Sequence, residues 1–268
     1  MYNRKTIENN IILMALAGSR SYGMETDSSD YDWRGIMIRP YFSDYVRYEG
    51  FEQKDSGWLE EDGKLKFLSE DTVVWDLKKY LKLANKANPN ILEVIFNPNH
   101  KIITPTGQKL IDNRFMFLNR NVIKTYKGYA YAQLKRLSNK TQNLCSEIDL
   151  PSPVKTSIRK VADENAGYPV KHAMHCLRLL YQLHYIYLKR DLVININGFS
   201  YKQELLLRKI KAGQIRLDYV QEECSRMMNI LDELDFDVFP KPLPEQQLSD
   251  FFIEMIETYY ANQSTRNY

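Results

Sequence analysis

The 268-residue chain carries 37 Lys/Arg against 34 Asp/Glu, a formal net charge of +3, with 44% hydrophobic and 26% charged residues. That balance is expected of an ordinary soluble globular protein of one large or two modest domains, and no internal repeat or low-complexity segment stands out. No apolar run approaches the roughly 20 residues of a membrane span, Met1-Tyr2-Asn3-Arg4-Lys5 is no signal-peptide start, and the widely spaced Cys145, Cys176 and Cys224 fit neither a disulfide framework nor a zinc site, so a cytoplasmic setting is expected.

The first element is the apolar run Ile11–Ala17, which reads as a buried strand and stops abruptly at Gly18-Ser19. A glycine there allows backbone N–H groups to approach an anion closely, and the serine adds a hydroxyl donor. A short helix starting after the turn, near residues 20–24, would favour the same anion. Asp30-Tyr31-Asp32 then resumes as a strand over residues 30–39. Its alternation predicts Asp30 and Asp32 on one face, close enough to share divalent cations. A nucleoside triphosphate with two metal ions is the chemistry this order suits.

Each half of that feature is common by itself. Asp-x-Asp recurs at Asp235-Phe236-Asp237 with no phosphate loop nearby, and reads there as a solvated acidic turn. A calcium loop over residues 30–41 fails, because Arg34 takes a ligand position and Tyr41 stands where a bidentate Glu is needed.

Further along, residues 60–64 read as a turn within a hairpin, followed by strand-like runs at 64–68 and 71–74. Residues 75–86 have a helical pattern with Leu77, Tyr80, Leu81 and Ala84 on one stripe, Asn88-Pro89-Asn90 breaks it, and residues 91–96 start a second short helix. After Pro98 and Pro105 the pattern is almost wholly helical to about residue 234. The chain is therefore expected to be α+β, with a division near residue 110 and substrates lying between the two parts.

With those elements in place, the Gly-Ser turn followed by the Asp-x-Asp strand resembles the signature of the DNA polymerase beta-like nucleotidyltransferase superfamily. DTVVWDLKKYLKLANKANPNILEVIF (residues 71–96) and YPVKHAMHCLRLL (residues 168–180) resemble, more narrowly, the RlaP-type nucleotidyltransferases associated with RNA repair. The similarity spans most of residues 10–225. It implies a catalytic domain over residues 1–110, with a mixed sheet flanked by helices, and an α-helical substrate-binding domain over residues 111–268. It also implies a third carboxylate on a neighbouring strand. Asp71 is favoured for it over Asp76, whose alternative reading is to open the following helix, where a carboxylate suits the N-terminal dipole. Glu93 reads as a structural or supporting acid.

The same resemblance assigns Asp30, Asp32 and Asp71 to two Mg2+ or Mn2+ ions, and Gly18, Ser19 and Arg20 to the triphosphate. On the helix over Lys171–Arg178, positions 171, 175 and 178 share a face. Lys171, His175 and Arg178 would then grip phosphates, while Met174, Leu177, Leu180 and Tyr181 form the core stripe. His172 and His175 lack a third ligand for zinc.

Residues 114–160 carry ten Lys/Arg and two acids, Glu147 and Asp149, whereas residues 214–268 carry four Lys/Arg against eleven Asp/Glu. The basic stretch points to a polyanionic partner. Its aromatics, Phe115, Phe117, Tyr126, Tyr129 and Tyr131, have the spacing of a helix core, with base stacking as the alternative.

The expected activity is metal-dependent transfer of an NMP from an NTP to an acceptor hydroxyl with release of pyrophosphate, the acceptor being an RNA 3′ end. The alternatives are a catalytically silent nucleotide- or RNA-binding protein of the same fold, or a transferase that AMPylates protein. The segment after Pro240, with Pro242 and Pro244, reads either as a docking arm or as a loosely packed last helix.

Overall fold

A computed structural model describes residues 4–27, 29–46, 53–54, 72–144 and 157–264. In chain order these form α1 (Arg4–Asn9), β1 (Ile11–Ala17), α2 (Gly18–Ser21), β2 (Asp32–Met37), α3 (Ser43–Val46), β3 (Gln53–Lys54), β4 (Thr72–Asp76), α4 (Leu77–Asn85), α5 (Pro89–Ile95), β5 (His100–Ile103) and α6 (Pro105–Asp112). Then follow α7 (Asn121–Leu144), α8 (Ser157–Ala166), α9 (Val170–Lys189), α10 (Tyr201–Lys211), α11 (Leu217–Asp232) and α12 (Glu245–Ser264). They gather into two compact units, one of residues 1–119 with 241–268 and one of residues 120–240.

The first unit is built on a mixed sheet of order β3-β4-β2-β1-β5. β1 pairs antiparallel with β2 and β5, whereas β2 and β4 run parallel. β1 lies between two partners and reads as an uninterrupted apolar run because Ile12, Leu13 and Met14 are wholly buried. On one side Met14, Met37 and Val74 join Ile7 of α1 and Ile11 in a cluster against which Trp33 and Ile102 pack.

Helix starts in this unit follow the sequence signals. Asn88 accepts from Asn90 N ahead of Pro89, and Thr104 accepts from Gly107 N ahead of Pro105. The Thr104 hydroxyl also donates to Ile12 O at 3.0 Å, tying α6 to β1. A Cβ on Gly107 would lie 2.1 Å from that same carbonyl oxygen, so only glycine permits so close an approach of helix to strand. The stripe Leu77, Tyr80, Leu81 and Ala84 expected on α4 is buried. β4 runs through Asp76, two residues beyond the expected end of its strand, before α4 begins.

The single boundary near residue 110 does not describe the chain, because residues 241–268 return to the sheet-bearing unit. Their helix α12 packs on α4 and α6 and buries Leu248, Phe251, Met255, Ile256 and Tyr259. Full burial of each such side chain stabilises by roughly 1.5–3 kcal/mol. Tyr259 Oη donates to Asn10 Oδ1 and Tyr260 Oη to Arg39 O, both at 2.6 Å. Ahead of α12, Asn85 clasps Leu243 through its side-chain amide, donating to Leu243 O and accepting from Leu243 N, each at 2.9 Å. The last helix is thus neither an arm nor loosely packed.

The second unit is helical. α7, α8, α10 and α11 all pack on α9, which is buried all round over residues 176–183, with Ala173, Cys176, Leu177, Leu180, Leu183 and Ile186 in its apolar part. Met174 is only half-buried, so the core stripe of α9 runs through Leu177, Leu180 and Tyr181. α10 opens with a capping box between Ser200 and Gln203. Asp235 accepts from Asp237 N and both acids are exposed, the solvated turn expected of that second Asp-x-Asp. No helix among the described residues is long and apolar enough to cross a membrane.

Candidate functional site

The end of β1 sets the site. At Gly18 the backbone turns into the left-handed region, φ +65°, and the chain passes directly into α2, two residues earlier than the sequence predicts. Ala17 is the register partner of Asp32. A Cβ on Gly18 would lie 1.8 Å from Asp32 Oδ2. The Asp32 carboxylate therefore occupies the space that any side chain at position 18 would need, and it rests against the main chain of the Gly-Ser turn. Ala15 and Ala17 stand opposite Arg34 and Asp32, so small side chains flank this part of the sheet.

Asp30 is placed differently from the expectation. β2 begins at Asp32, and Asp30 lies exposed in the preceding loop. That loop is organised by Arg20, whose Nε and Nη2 both donate to Ser29 O at 3.2 and 2.8 Å. The guanidinium also sits over the Tyr31 ring, 3.9 Å from its centroid. Thr26 N donates to Ser29 Oγ at 2.8 Å. Arg20, expected at a phosphate, thus binds the loop that presents Asp30.

A layer of polar groups supports the turn from behind. Asn97 is buried and donates through Nδ2 to Leu16 O at 2.5 Å and to Ser21 Oγ at 2.9 Å. Tyr22 Oη donates to the carboxylate of buried Glu93 at 2.9 Å. Glu93 is held in a supporting position on α5, as the sequence suggested, while Asn97 carried no signal there beyond its place in a loop. Together they fix both ends of α2.

Asp71 lies outside the described residues, as do the expected runs at 60–64 and 64–68. Its neighbour Thr72 pairs with Trp33, the residue after Asp32. Asp76 pairs with Met37, four residues further along β2, about 13 Å at strand rise. Asp76 is engaged otherwise: Oδ1 accepts from Lys78 N at 3.0 Å as the cap of α4, and Oδ2 accepts from Arg39 Nε at 3.1 Å in a buried ion pair. Burial holds its carboxyl above the usual range, opposed chiefly by Arg39. Among the described residues no group of three or more acids, histidines or cysteines could hold a metal ion.

In the helical unit, Lys171, His175 and Arg178 do not form one exposed basic stripe. Lys171 is exposed, whereas Arg178 is fully buried with Nη2 3.0 Å from His175 Nδ1. His175 is driven down to about 2 by burial and by the neighbouring charges of Arg178 and Lys171, with His172 and Arg136 adding to them. It is neutral at physiological pH. His172 Nδ1 lies 2.7 Å from Gln133 Oε1 of α7.

The basic stretch over residues 114–160 is answered in part from within the same unit. Arg120 Nη1 pairs with Asp237 at 3.2 Å, and Lys127 pairs with Asp232. Two of its cations therefore face acids of the acidic last stretch. Its aromatics divide: Phe117 and Tyr126 are wholly buried, while Phe115 and Tyr131 are 46% and 65% exposed.

The model of the RNA repair pathway DNA polymerase beta family, RlaP, matches residues 2–206. No curated protein matches the chain. The match covers about three quarters of the sequence, including the whole turn from Gly18 to Asp32 and the Lys171–Arg178 helix, and the chain belongs to that family.

Proposed function

We propose that this polymerase-beta-like nucleotidyltransferase transfers an NMP from an NTP to the hydroxyl of an RNA 3′ end. The observation that carries the reading is the seating of the Asp32 carboxylate against Gly18, with a Cβ position only 1.8 Å from its oxygen. An acid therefore stands beside the main chain of the Gly-Ser turn at the end of β1. A triphosphate on Gly18 and Ser19 would then present its α-phosphorus to a group next to Asp32.

The donor set fits hard divalent cations, since carboxylate oxygens are what Mg2+ and Mn2+ prefer. Asp30, Asp32 and Asp71 would hold them. When bound, such ions would make the acceptor hydroxyl more acidic and neutralise the leaving pyrophosphate. Asp71 is preferred to Asp76 because the pairing of Thr72 with Trp33 brings the start of β4 to the Asp32 end of β2, and because Asp76 already serves a cap and an ion pair.

In the reaction the acceptor oxygen forms a bond to the α-phosphorus, and the bond to the β-bridging oxygen breaks. The electron pair leaves with pyrophosphate, and the hydroxyl proton passes to the Asp71 carboxylate. Ser19 Oγ and the Gly18–Ser19 main chain donate to the β- and γ-phosphates. Arg20 orders the Asp30 loop through Ser29. Within the helical unit, Lys171 is the exposed one of Lys171, His175 and Arg178 on α9, and it is the one suited to a phosphate of the RNA.

The test is incubation with each α-32P-labelled NTP, Mg2+ or Mn2+, total RNA and cell extract, beside an Asp30→Ala/Asp32→Ala double variant. Label moving onto RNA in the wild type alone supports the reading. Label on protein instead makes the enzyme an AMPylating transferase, and retained nucleotide without transfer makes it a silent binder.

A further inference from the structure

Tyr31 lies between the two carboxylates in sequence, yet the residue is 53% exposed. So exposed a residue contributes little to a core, and core packing does not account for it. One face is covered by the Arg20 guanidinium, itself fixed by two hydrogen bonds to Ser29 O. Two residues on, the Trp33 ring lies nearly parallel to Tyr31, with an interplanar angle of 13° and centroids 6.4 Å apart. Trp33 packs against the apolar cluster and carries Lys101 Nζ 4.9 Å from its ring centroid. Lys101 comes from β5 and is exposed.

The array is cation, ring, ring, cation, assembled from α2, the Asp30 loop, β2 and β5. Aromatic faces bind bases without regard to sequence, a guanidinium plane extends such a stack, and the ammonium suits a phosphate. A repeated arrangement matches a polymer of bases and phosphates better than a single nucleotide, which needs one stacking face.

We propose that Arg20, Tyr31, Trp33 and Lys101 form a stacking platform for the unpaired bases of the acceptor strand, holding single-stranded RNA beside Asp30 and Asp32. This rests on the reading of the chain as a transferase acting on RNA. Tyr31 and Lys101 are positioning residues here, since neither touches the reacting atoms.

The test reads binding without turnover. Fluorescein-labelled ten-nucleotide oligo(U) is titrated into full-length Asp30→Asn/Asp32→Asn protein at low salt, followed by anisotropy and by tryptophan quenching. Adding Tyr31→Leu, which keeps bulk but removes the ring, is expected to weaken binding roughly ten-fold. Lys101→Gln should weaken it less and flatten its salt dependence. Trp33→Phe should remove most of the quenching while binding persists. Because the carboxylate variant carries out no transfer, failure of the platform is distinguished from failure of the reaction. Unchanged oligo(U) affinity in the Tyr31→Leu protein overturns the proposal. So does equal binding of duplex RNA, or a Tyr31→Leu defect confined to NTP affinity.

Discussion

The carboxylate of Asp32 stands where a side chain of Gly18 would be, with the Cβ position 1.8 Å from Oδ2. Backbone conformation and acid placement are thereby coupled at one residue. The positive φ at Gly18 lets the chain leave β1 for α2, and the missing side chain lets Asp32 lie against the turn. Gly18→Ala therefore carries two penalties. The left-handed backbone costs about 1–2 kcal/mol with a Cβ present, seen as a lower Tm. Displacing the carboxylate by about 1 Å or more is expected to reduce transfer at least ~100-fold. If Gly18→Ala lowered Tm but left transfer near wild type, Asp32 would not be acting from this position.

Asp71 and Asp76 are separable by experiment because Asp76 has a structural task. Its carboxylate caps α4 and pairs with Arg39, which is itself buried and donates through Nη1 to Asp44 O at 2.9 Å. Asp76→Ala removes one partner of a buried ion pair together with the cap of α4, at a cost of about 3–5 kcal/mol. The melting temperature should fall by on the order of 10 °C. Asp71→Asn should abolish transfer with the melting curve unmoved. Loss of activity in a stable Asp76→Asn protein, with Asp71→Asn still active, would reverse the assignment.

These two acids also mark what a single sequence can convey. The β1 run, the α4 stripe and the Pro-led starts of α5 and α6 were legible because periodicity and caps are local signals. The Gly18–Asp32 pairing was legible in part: the motif gave the residues, but Asp30 falls outside the strand that alternation predicted. A loop tied by Arg20 to Ser29 has no period to read. Burial of Arg178, against its apparent place on a basic face, depends on how α9 is covered on all sides by other helices. The return of α12 to the sheet-bearing unit depends on contacts across more than 150 residues, such as Asn85 with Leu243. Neither leaves a trace in nearby sequence.

Asn97 is the polar support the sequence did not single out. Its amide joins Leu16 O at the end of β1 to Ser21 Oγ at the end of α2. Asn97→Ala removes both of these hydrogen bonds, for about 0.5–1.5 kcal/mol each. Asn97→Asp keeps the shape but turns a carboxylate oxygen toward Leu16 O, and is expected to be worse. In both variants the KM for NTP should rise while Lys171→Ala, remote in sequence, leaves Tm unchanged. A wild-type KM in Asn97→Ala would mean that the turn holds its form without this link.

His175 predicts how the protein responds to acid. Burial first, and then the charges of Arg178, Lys171, His172 and Arg136, hold its folded-state pKa at about 2, below the unfolded value of about 6.5. Above pH 6.5 neither state is protonated at this group and stability is unaffected. As pH falls below 6.5 the unfolded chain takes up a proton that the folded protein refuses, so stability declines continuously toward pH 2. One such proton contributes a slope of up to about 1.4 kcal/mol per pH unit. His100 and His184, also lowered by burial, add to it over a narrower window. His175→Gln removes the largest share, so urea midpoints measured from pH 7 to pH 4.5 should fall less steeply than in the wild type. A parallel fall in both proteins would show that the histidine is protonated inside the fold, and that the cations around it are answered by an anion.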